Sequence, residues 1–307
     1  MGNIEVIVDS GASFPEEWYE QNGLIVIPLR ILFDGEKSDK LDFSKSPEEF
    51  YAELIEIKNE KRKPPITSGA NDFQFTGMYD YVFSKGAKSA LVLTLMKEKS
   101  STYKSANLAQ SYNARSKDIR IIDTHMVGPS QAFIALEASI FSKEHSLDET
   151  VKYAEQLSQQ AKMYAVPETL YFLHAGGRIS STRYLIGSIL KLLPIVSTKK
   201  ISEKDYDLDS VVKARTFDKA ISKIPEKVEI DIKEFKSLGL DTVDYMVLHT
   251  GNQKKAVELE TNIKELFKLY GMQEGIVARG YLPIVVGAHL GPGAVGVGML
   301  YRNGFSK

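Results

Sequence analysis

The chain has 307 residues, 43% of them hydrophobic, with glycine and proline not enriched; it can bury a large core in about two domains and is neither disordered nor fibrous. Its 39 basic and 40 acidic residues nearly cancel, and the net charge of −1 leaves no electrostatic footprint for nucleic acid or an anionic membrane. Cysteine is absent, so disulfides, thiolate metal sites and a cysteine nucleophile are excluded.

The opening run, Met1 to Gly11, lacks the basic segment and long apolar core of a secretory signal, and Val6 stands where a myristoylation motif needs Ser or Thr. No window reaches 18 uninterrupted apolar residues, so no membrane insertion is expected, and the expectation is a soluble cytoplasmic protein. Ile4 to Val8 reads as a short strand closed by the turn Asp9-Ser10-Gly11. Leu24 to Phe33 is a second apolar run in which Pro28 predicts an irregularity or an edge. Ser46-Pro47-Glu48-Glu49 is a capping box with proline at the first helical position, and Phe50, Leu54 and Ile57 form one face of the helix behind it. Lys61 to Pro65 ends that helix and leads to Ile66-Thr67-Ser68-Gly69, then to a helical pattern of Phe75, Met78, Tyr79 and Val82. Ala90 to Leu95 is a buried-type strand, Met96 to Ser101 a loop, and Thr102-Tyr103 a helix start. Ile119 to Ile122 is a strand ending at Asp123-Thr124, Pro129 to His145 a helix, and Ser146 to Glu149 a second capping box opening a helix to about Met163. This alternation predicts a parallel sheet flanked by helices.

Beyond that point strand candidates cluster at Leu193 to Ser197, Ser210 to Thr216, Asp244 to His249, Glu274 to Arg279, Pro283 to His289 and Val295 to Tyr301, with one long helix, Gln253 to Tyr270. The expected class is α/β with two α/β domains: residues 1–162 carrying the parallel sheet and residues 163–307 a mixed sheet.

The chemistry centres on Thr169 to Pro194. An apolar run, Leu170 to Leu173, is followed by a turn at Gly176-Gly177, then Arg178, Ser180, Ser181 and Thr182, and an apolar segment from Tyr184 to Leu193. Paired glycines allow a close backbone approach, and an arginine behind them can aim its planar fork at an anion. The same residues also fit a helix C-cap followed by a surface arginine. Thr67-Ser68 and Ser100-Ser101-Thr102 stand before helices, where hydroxyls either receive anions with the free N–H groups or act as N-caps. Gly291, Gly293 and Gly296 spell G-x-G-x-x-G, but with only eleven residues behind Gly296 they cannot be a dinucleotide fingerprint. His289 is either an anion donor or a strand-end histidine. No histidine pair has metal-ligand spacing, and neither a nucleophile elbow nor a phosphate-binding Walker loop occurs. Ser100, His289 and Asp9 assemble a triad only on paper.

Taken together, these residues resemble the DegV family, bacterial fatty-acid-binding partners of fatty acid kinase, over nearly the whole chain. The carrying residues are Val8-Asp9-Ser10, Ile27-Pro28-Leu29, Thr67-Ser68, Ser100-x-Thr102-Tyr103-x-Ser105-Ala106, Ile122-Asp123, Leu173-x-x-Gly176-Gly177-Arg178-Ile179, Pro194-Ile195, Lys213-x-Arg215 and His289-x-Gly291-Pro292-Gly293-Ala294. The resemblance implies a long-chain fatty acid held between and within two α/β domains. Its carboxylate would be met at the Thr67-Ser68 and Ser100-Ser101 motifs, Arg178 and His289. It further implies a monomeric carrier rather than an enzyme, with no metal and no cofactor beyond the bound acid. The carrier would present the carboxylate to a separate ATP-dependent kinase, whose acyl phosphate feeds phospholipid synthesis.

The chain departs from the family's usual L-S-S-x-L-S-G-T-Y, reading Leu95-Met96-Lys97-Glu98-Lys99-Ser100-Ser101-Thr102-Tyr103, which adds two cations and removes a glycine. Candidate tunnel residues are Ile27, Leu29, Phe133, Leu170, Phe172, Leu185, Ile189 and Leu192. Two other readings stay open on the residues alone: a small-molecule kinase or hydrolase using Ser100 and His289, and a binding protein for a short carboxylate or phosphate metabolite.

Overall fold

Short apolar runs separated by capped helices leave the first half of the chain one economical arrangement, strands side by side with helices covering both faces. The computed structural model describes residues 3–14, 16–33, 40–180, 192–201 and 206–304, with strands β1 (Ile4–Asp9), β2 (Leu24–Ile27), β3 (Arg30–Leu32), β4 (Lys40–Leu41), β5 (Ile66–Ser68), β6 (Ser89–Thr94) and β7 (Ile119–Asp123) in this half. Strands β2-β1-β6-β7 form a parallel sheet in that order. Helices Asp72–Ser84, Thr102–Tyr112, Pro129–Ser142 and Leu147–Gln160 flank it. Both expected capping boxes form, with Ser46 and Ser146 each accepting from the amide of the glutamate three residues on. Pro28 cuts the Leu24 to Phe33 run in two. The portion after it leaves the parallel sheet as β3, in a separate antiparallel sheet ordered β4-β3-β5.

The second half supplies β8 (Ala161–Val166), β9 (Leu193–Lys200), β10 (Tyr206–Ala214), β11 (Thr242–His249), β12 (Gln273–Tyr281) and β13 (Val295–Arg302). They form one mixed sheet ordered β10-β9-β8-β13-β11-β12, antiparallel except for the parallel β11–β12 pair. The last strand thus sits in the interior of the sheet, between β8 and β11. Both faces are covered. Val243, Tyr245 and Val247 pack with helices Ile224–Ser237 and Gln253–Leu269, whereas Met246, Leu248 and Leu300 join the core of the first half.

Three expectations are corrected. The helix expected to reach Met163 stops at Gln160, and Ala161–Val166 becomes β8, paired with β13. Where one long helix is expected in this half, Ile224–Ser237 is a second: Ile224, Val228, Ile232 and Phe235 recur at helical spacing, but the alternation Val-Glu-Ile-Asp-Ile inside it mimics a strand. Pro283 to His289, expected as a strand, is a helix from Ile284 to Leu290. Its β-branched residues favour a strand locally, but tertiary packing overrides that preference. Ile284, Val285 and Ala288 are buried, and the Tyr51 hydroxyl fills the space where a side chain on Gly287 would stand.

Candidate functional site

Leu29, just past the end of β2, and Leu95 and Met96, just past the end of β6, line the site, and buried polar side chains at the end of β1 fix their geometry. Asp9, fully buried, accepts from the amides of Gly11 (2.9 Å) and Leu95 (2.7 Å), tying β1 to the start of the Met96 loop. Burial pushes its carboxyl up to about 6 against the lowering effect of those amides. The Ser10 hydroxyl accepts from the Leu29 amide at 2.9 Å and holds the chain just past Pro28. The Asp9-Ser10 turn therefore positions the loops around the site.

Arg178 follows the helix Tyr171–Ala175, whose C-cap is Gly176, and Gly177 takes φ +73°. That is the geometry of the C-cap reading, yet the arginine does not lie free on the surface. Its guanidinium donates to Gly176 O (2.5 Å) and to Lys99 O (2.9 Å), bridging the helix end and the 96–101 loop. Two of its five N–H groups are thereby used in holding the fork in place. Partial burial lowers its pKa.

His289 lies in the last turn of Ile284–Leu290, not at a strand end. The helix is held at its start by Val285 N donating to Asp42 Oδ1 (3.0 Å) and by the Tyr51 hydroxyl donating to Leu282 O (2.6 Å). Beyond its end, Thr250 Oγ1 donates to Gly291 O (2.6 Å) and accepts from Ala294 N (2.8 Å). The imidazole Nε2 stands 2.5 Å from Thr67 Oγ1. On its other side Nδ1 faces Gly176, where a Cβ would come within 2.1 Å. Burial first, and the Arg178 charge second, push His289 down to about 3. The ring is thus neutral at physiological pH; protonated at Nε2 it donates to Thr67, and protonated at Nδ1 it accepts from the threonine hydroxyl.

Thr67 lies within β5 rather than at a helix start; the cap of the next helix is Asn71. Ser100 Oγ accepts from the Thr102 amide (3.3 Å) and lies 2.8 Å from Thr102 Oγ1. Thr67, Ser68, Ser100, Arg178 and His289 line one hollow of about 560 Å³, part of it open to solvent, with Leu29, Met96 and Val127 among its apolar walls. Ser101 is exposed and does not line it. No Ser100–His289–Asp9 triad forms, since each residue is bonded to another partner.

A second hollow of about 700 Å³, including the part open to solvent, adjoins the first and is almost wholly apolar, with Met163, Leu173, Val196, Leu248, Leu282 and Val297 in its walls. Val127, Leu208, Val286 and His289 line both, so the two spaces meet there. Of the expected tunnel residues, Leu29 lines the polar hollow, while Ile27, Phe133 and Phe172 are buried core that lines neither. Leu170 packs in a small cluster with the wall residues Leu173 and Val196, and Leu192 lines neither hollow. Leu185, Ile189, Ser181, Thr182 and the side chain of Lys213 lie outside the described residues.

The lysines of the atypical loop diverge. Lys99 lines the polar hollow and pairs with Asp207 of β10 at 2.5 Å. Lys97 turns to a different polar hollow, 3.7 Å from Glu98 and 4.0 Å from Asp123. Among the described residues, Glu98, Asp123 and His125 bring three potential metal-ligand atoms within 4.8 Å of one another. The Lys97 ammonium already supplies a positive charge to those carboxylates. His125 also stacks on Tyr206 at 4.0 Å, so the start of β10 is fastened to this loop region.

No described helix is long and apolar enough to cross a membrane. The chain is similar to the Protein DegV of Bacillus subtilis (strain 168), 29% identical over 300 residues that cover 96% of this chain and 98% of the relative. Among solved structures it is similar to DegV, a fatty acid binding protein from Bacillus subtilis: 27% identical, TM-score 0.79, covering 98% of this chain and 100% of that one. A DegV family protein from Thermus thermophilus, whose structure concerns fatty acid binding, shares the fold at TM-score 0.81 and 22% identity, over 98% and 100% of the two chains. The model of the family described as "Uncharacterised protein, DegV family" matches residues 3–302, and the chain belongs to that family.

Proposed function

We propose that this protein binds a long-chain fatty acid, with the carboxylate at Arg178, Thr67 and Ser100 beside His289 and the acyl chain in the apolar hollow, and presents the carboxylate to a separate fatty acid kinase. The observation that carries this reading is the continuity of a polar and an apolar hollow across Val127, Leu208, Val286 and His289. The likeness to the fatty acid binding protein DegV of Bacillus subtilis supports it.

The energetics fit a carrier. Burying each methylene stabilises by about 0.8 kcal/mol, so a long chain gains on the order of 10 kcal/mol before association entropy removes part of it. The carboxylate then needs few contacts, provided they are charge-assisted, which Arg178 supplies. The Ser100 hydroxyl is paired with Thr102 and the neutral His289 with Thr67, so among the described residues no base is bonded to Ser100, which suits a binding site better than a nucleophile. In this reading the protein works as a soluble cytoplasmic monomer of two domains, residues 1–162 and 163–307, and the chemistry belongs to its partner.

Native mass spectrometry of the purified protein tests the binding half: the expected result is a co-purifying long-chain acid, or uptake of added oleate or palmitate. An empty protein that takes up neither overturns it. The kinase half is tested by adding the carrier loaded with radiolabelled oleate to a fatty acid kinase with ATP. Acyl phosphate that forms no faster than with free oleate removes that step.

A further inference from the structure

A third hollow, of about 1240 Å³ including its open mouth, lies on the other side of Leu248 from the apolar one. Among the described residues Leu248 is the side chain common to the two. Alternation along β11 puts Met246 and Leu248 on the same face, the one turned toward the first half of the chain. Their neighbours on that face are small. Opposite Leu248 stand Gly296 on β13 and Gly280 on β12; opposite Met246 stand Gly298 on β13 and Ala278 on β12.

The flanks divide cleanly. Gly296 and Gly298 line the apolar hollow, whereas Ala278 and Gly280 line the third one. The sheet therefore carries small residues on both flanks of a ridge of two side chains, with Pro129 and Ser130 packed over Gly298 and the Leu248 level left as the place where the two spaces approach each other. Leu248, 4% exposed, is the part of the ridge that both spaces touch. Phe14, Met246 and Ile284 give the third hollow apolar surface, and Asp42, Ser44 and Lys45 make it partly polar.

We propose that Leu248 is the end stop of the acyl site and sets the longest chain this protein accepts. The inference rests on the fatty-acid reading above. A chain entering from Arg178 fills the apolar hollow and meets Leu248. Each pair of methylenes that fits raises affinity about tenfold, and carbons that do not fit must stay in water or displace the ridge. Truncating Leu248 joins the two spaces and lets the terminal methyl pass into the third hollow over Gly280. A Cβ at Gly280 meets nothing within 4 Å, so there is room for a side chain beside Leu248 that would narrow that passage.

The test is a series of saturated acids of rising length, titrated by calorimetry against wild type, Leu248→Ala, Gly280→Leu and the double variant, with thermal melts to establish folding. Wild type is expected to gain affinity with length up to a limit and then lose it. Leu248→Ala should move that limit up by about two or more carbons, each added pair worth about tenfold. Gly280→Leu alone should leave the wild-type limit in place, and the double variant should restore it. If Leu248→Ala does not fold, Leu248→Val serves, with a smaller upward shift expected. A folded variant whose limit stays at the wild-type length overturns the end stop while leaving the fatty-acid reading intact. Wild type that binds no acid of any length overturns that reading itself.

Discussion

Gly176→Ala tests how tightly His289 is held. A Cβ at position 176 would stand 2.1 Å from His289 Nδ1, 2.8 Å from Cε1 and 3.1 Å from Phe172 O, where ordinary contact begins near 3.4 Å. The ring cannot slide away, because its far nitrogen is already 2.5 Å from Thr67 Oγ1. It must swing out, giving up that bond and repacking its pocket. Overpacking costs about 1–3 kcal/mol and the lost hydrogen bond about 1 kcal/mol, so we expect a loss of about 2–4 kcal/mol and a fall in Tm of about 3–6 °C. Gly177→Ala is the control. It meets no atom within 4 Å but requires φ +73°, so its cost is backbone strain alone, about 1–2 kcal/mol. The assay is a double-mutant cycle by chemical denaturation. Adding His289→Ala should relieve most of the Gly176→Ala penalty and none of that at Gly177. Additive penalties at positions 176 and 289 would refute the pinned-ring account.

Arg178→Gln should weaken binding of a long-chain acid about 10- to 100-fold while leaving its methyl ester unaffected, measured by calorimetry; equal losses for both would show that the guanidinium does not meet the carboxylate. His289 is held neutral down to about 3, against an ordinary 6.5 in the unfolded chain. Below about pH 6.5 the unfolded state takes the proton the native state refuses, so this residue makes stability fall with pH by up to about 1.4 kcal/mol per unit. Denaturant melts between about pH 4.5 and 6.5 should show a shallower fall for His289→Asn, and identical slopes would contradict the assignment. Asp42 has the opposite sign: burial raises it to about 7 from 3.8, so the folded state keeps a proton the unfolded chain has lost, and its contribution declines as pH rises from about 4 through 7. Asp42→Asn, which mimics the protonated acid and keeps the acceptor for Val285, should be at least as stable as wild type at about pH 8; a large loss there would argue that the ionised form is needed.

Local chemistry made the first half of the chain legible. Ser46–Glu49 and Ser146–Glu149 are caps whose partners lie within four residues, and Pro28 ends β2 by removing an amide and fixing φ. What failed depends on distant residues. The short run Ile284–Leu290 is helical because Tyr51 and Asp42, more than 200 positions earlier, shape its pocket. Ala161–Val166 becomes a strand because β13 pairs with it. The candidate polar residues could be picked out because hydroxyls stand beside turns and Arg178 follows paired glycines, but that Thr67, Ser100, Arg178 and His289 border one hollow could not be read from the residues alone. Its apolar side could not: Ile27 and Phe172 look the same in sequence as Leu248 and Val196, and only the placement of the strands separates core from cavity wall.

The interior position of β13 bears on how the protein is made. Its partner β8 leaves the ribosome about 130 residues before it, and β11 about 50 residues before it. Until β13 arrives, β9 and β10 can pair only with each other and β8, and β11 only with β12, leaving two open sheet edges exposed to any other nascent chain. Completion of the mixed sheet, and of every cavity wall that Gly296 and Gly298 contribute, is therefore a late and cooperative event, and losses at this end of the polypeptide should leave the half-made sheet prone to aggregation.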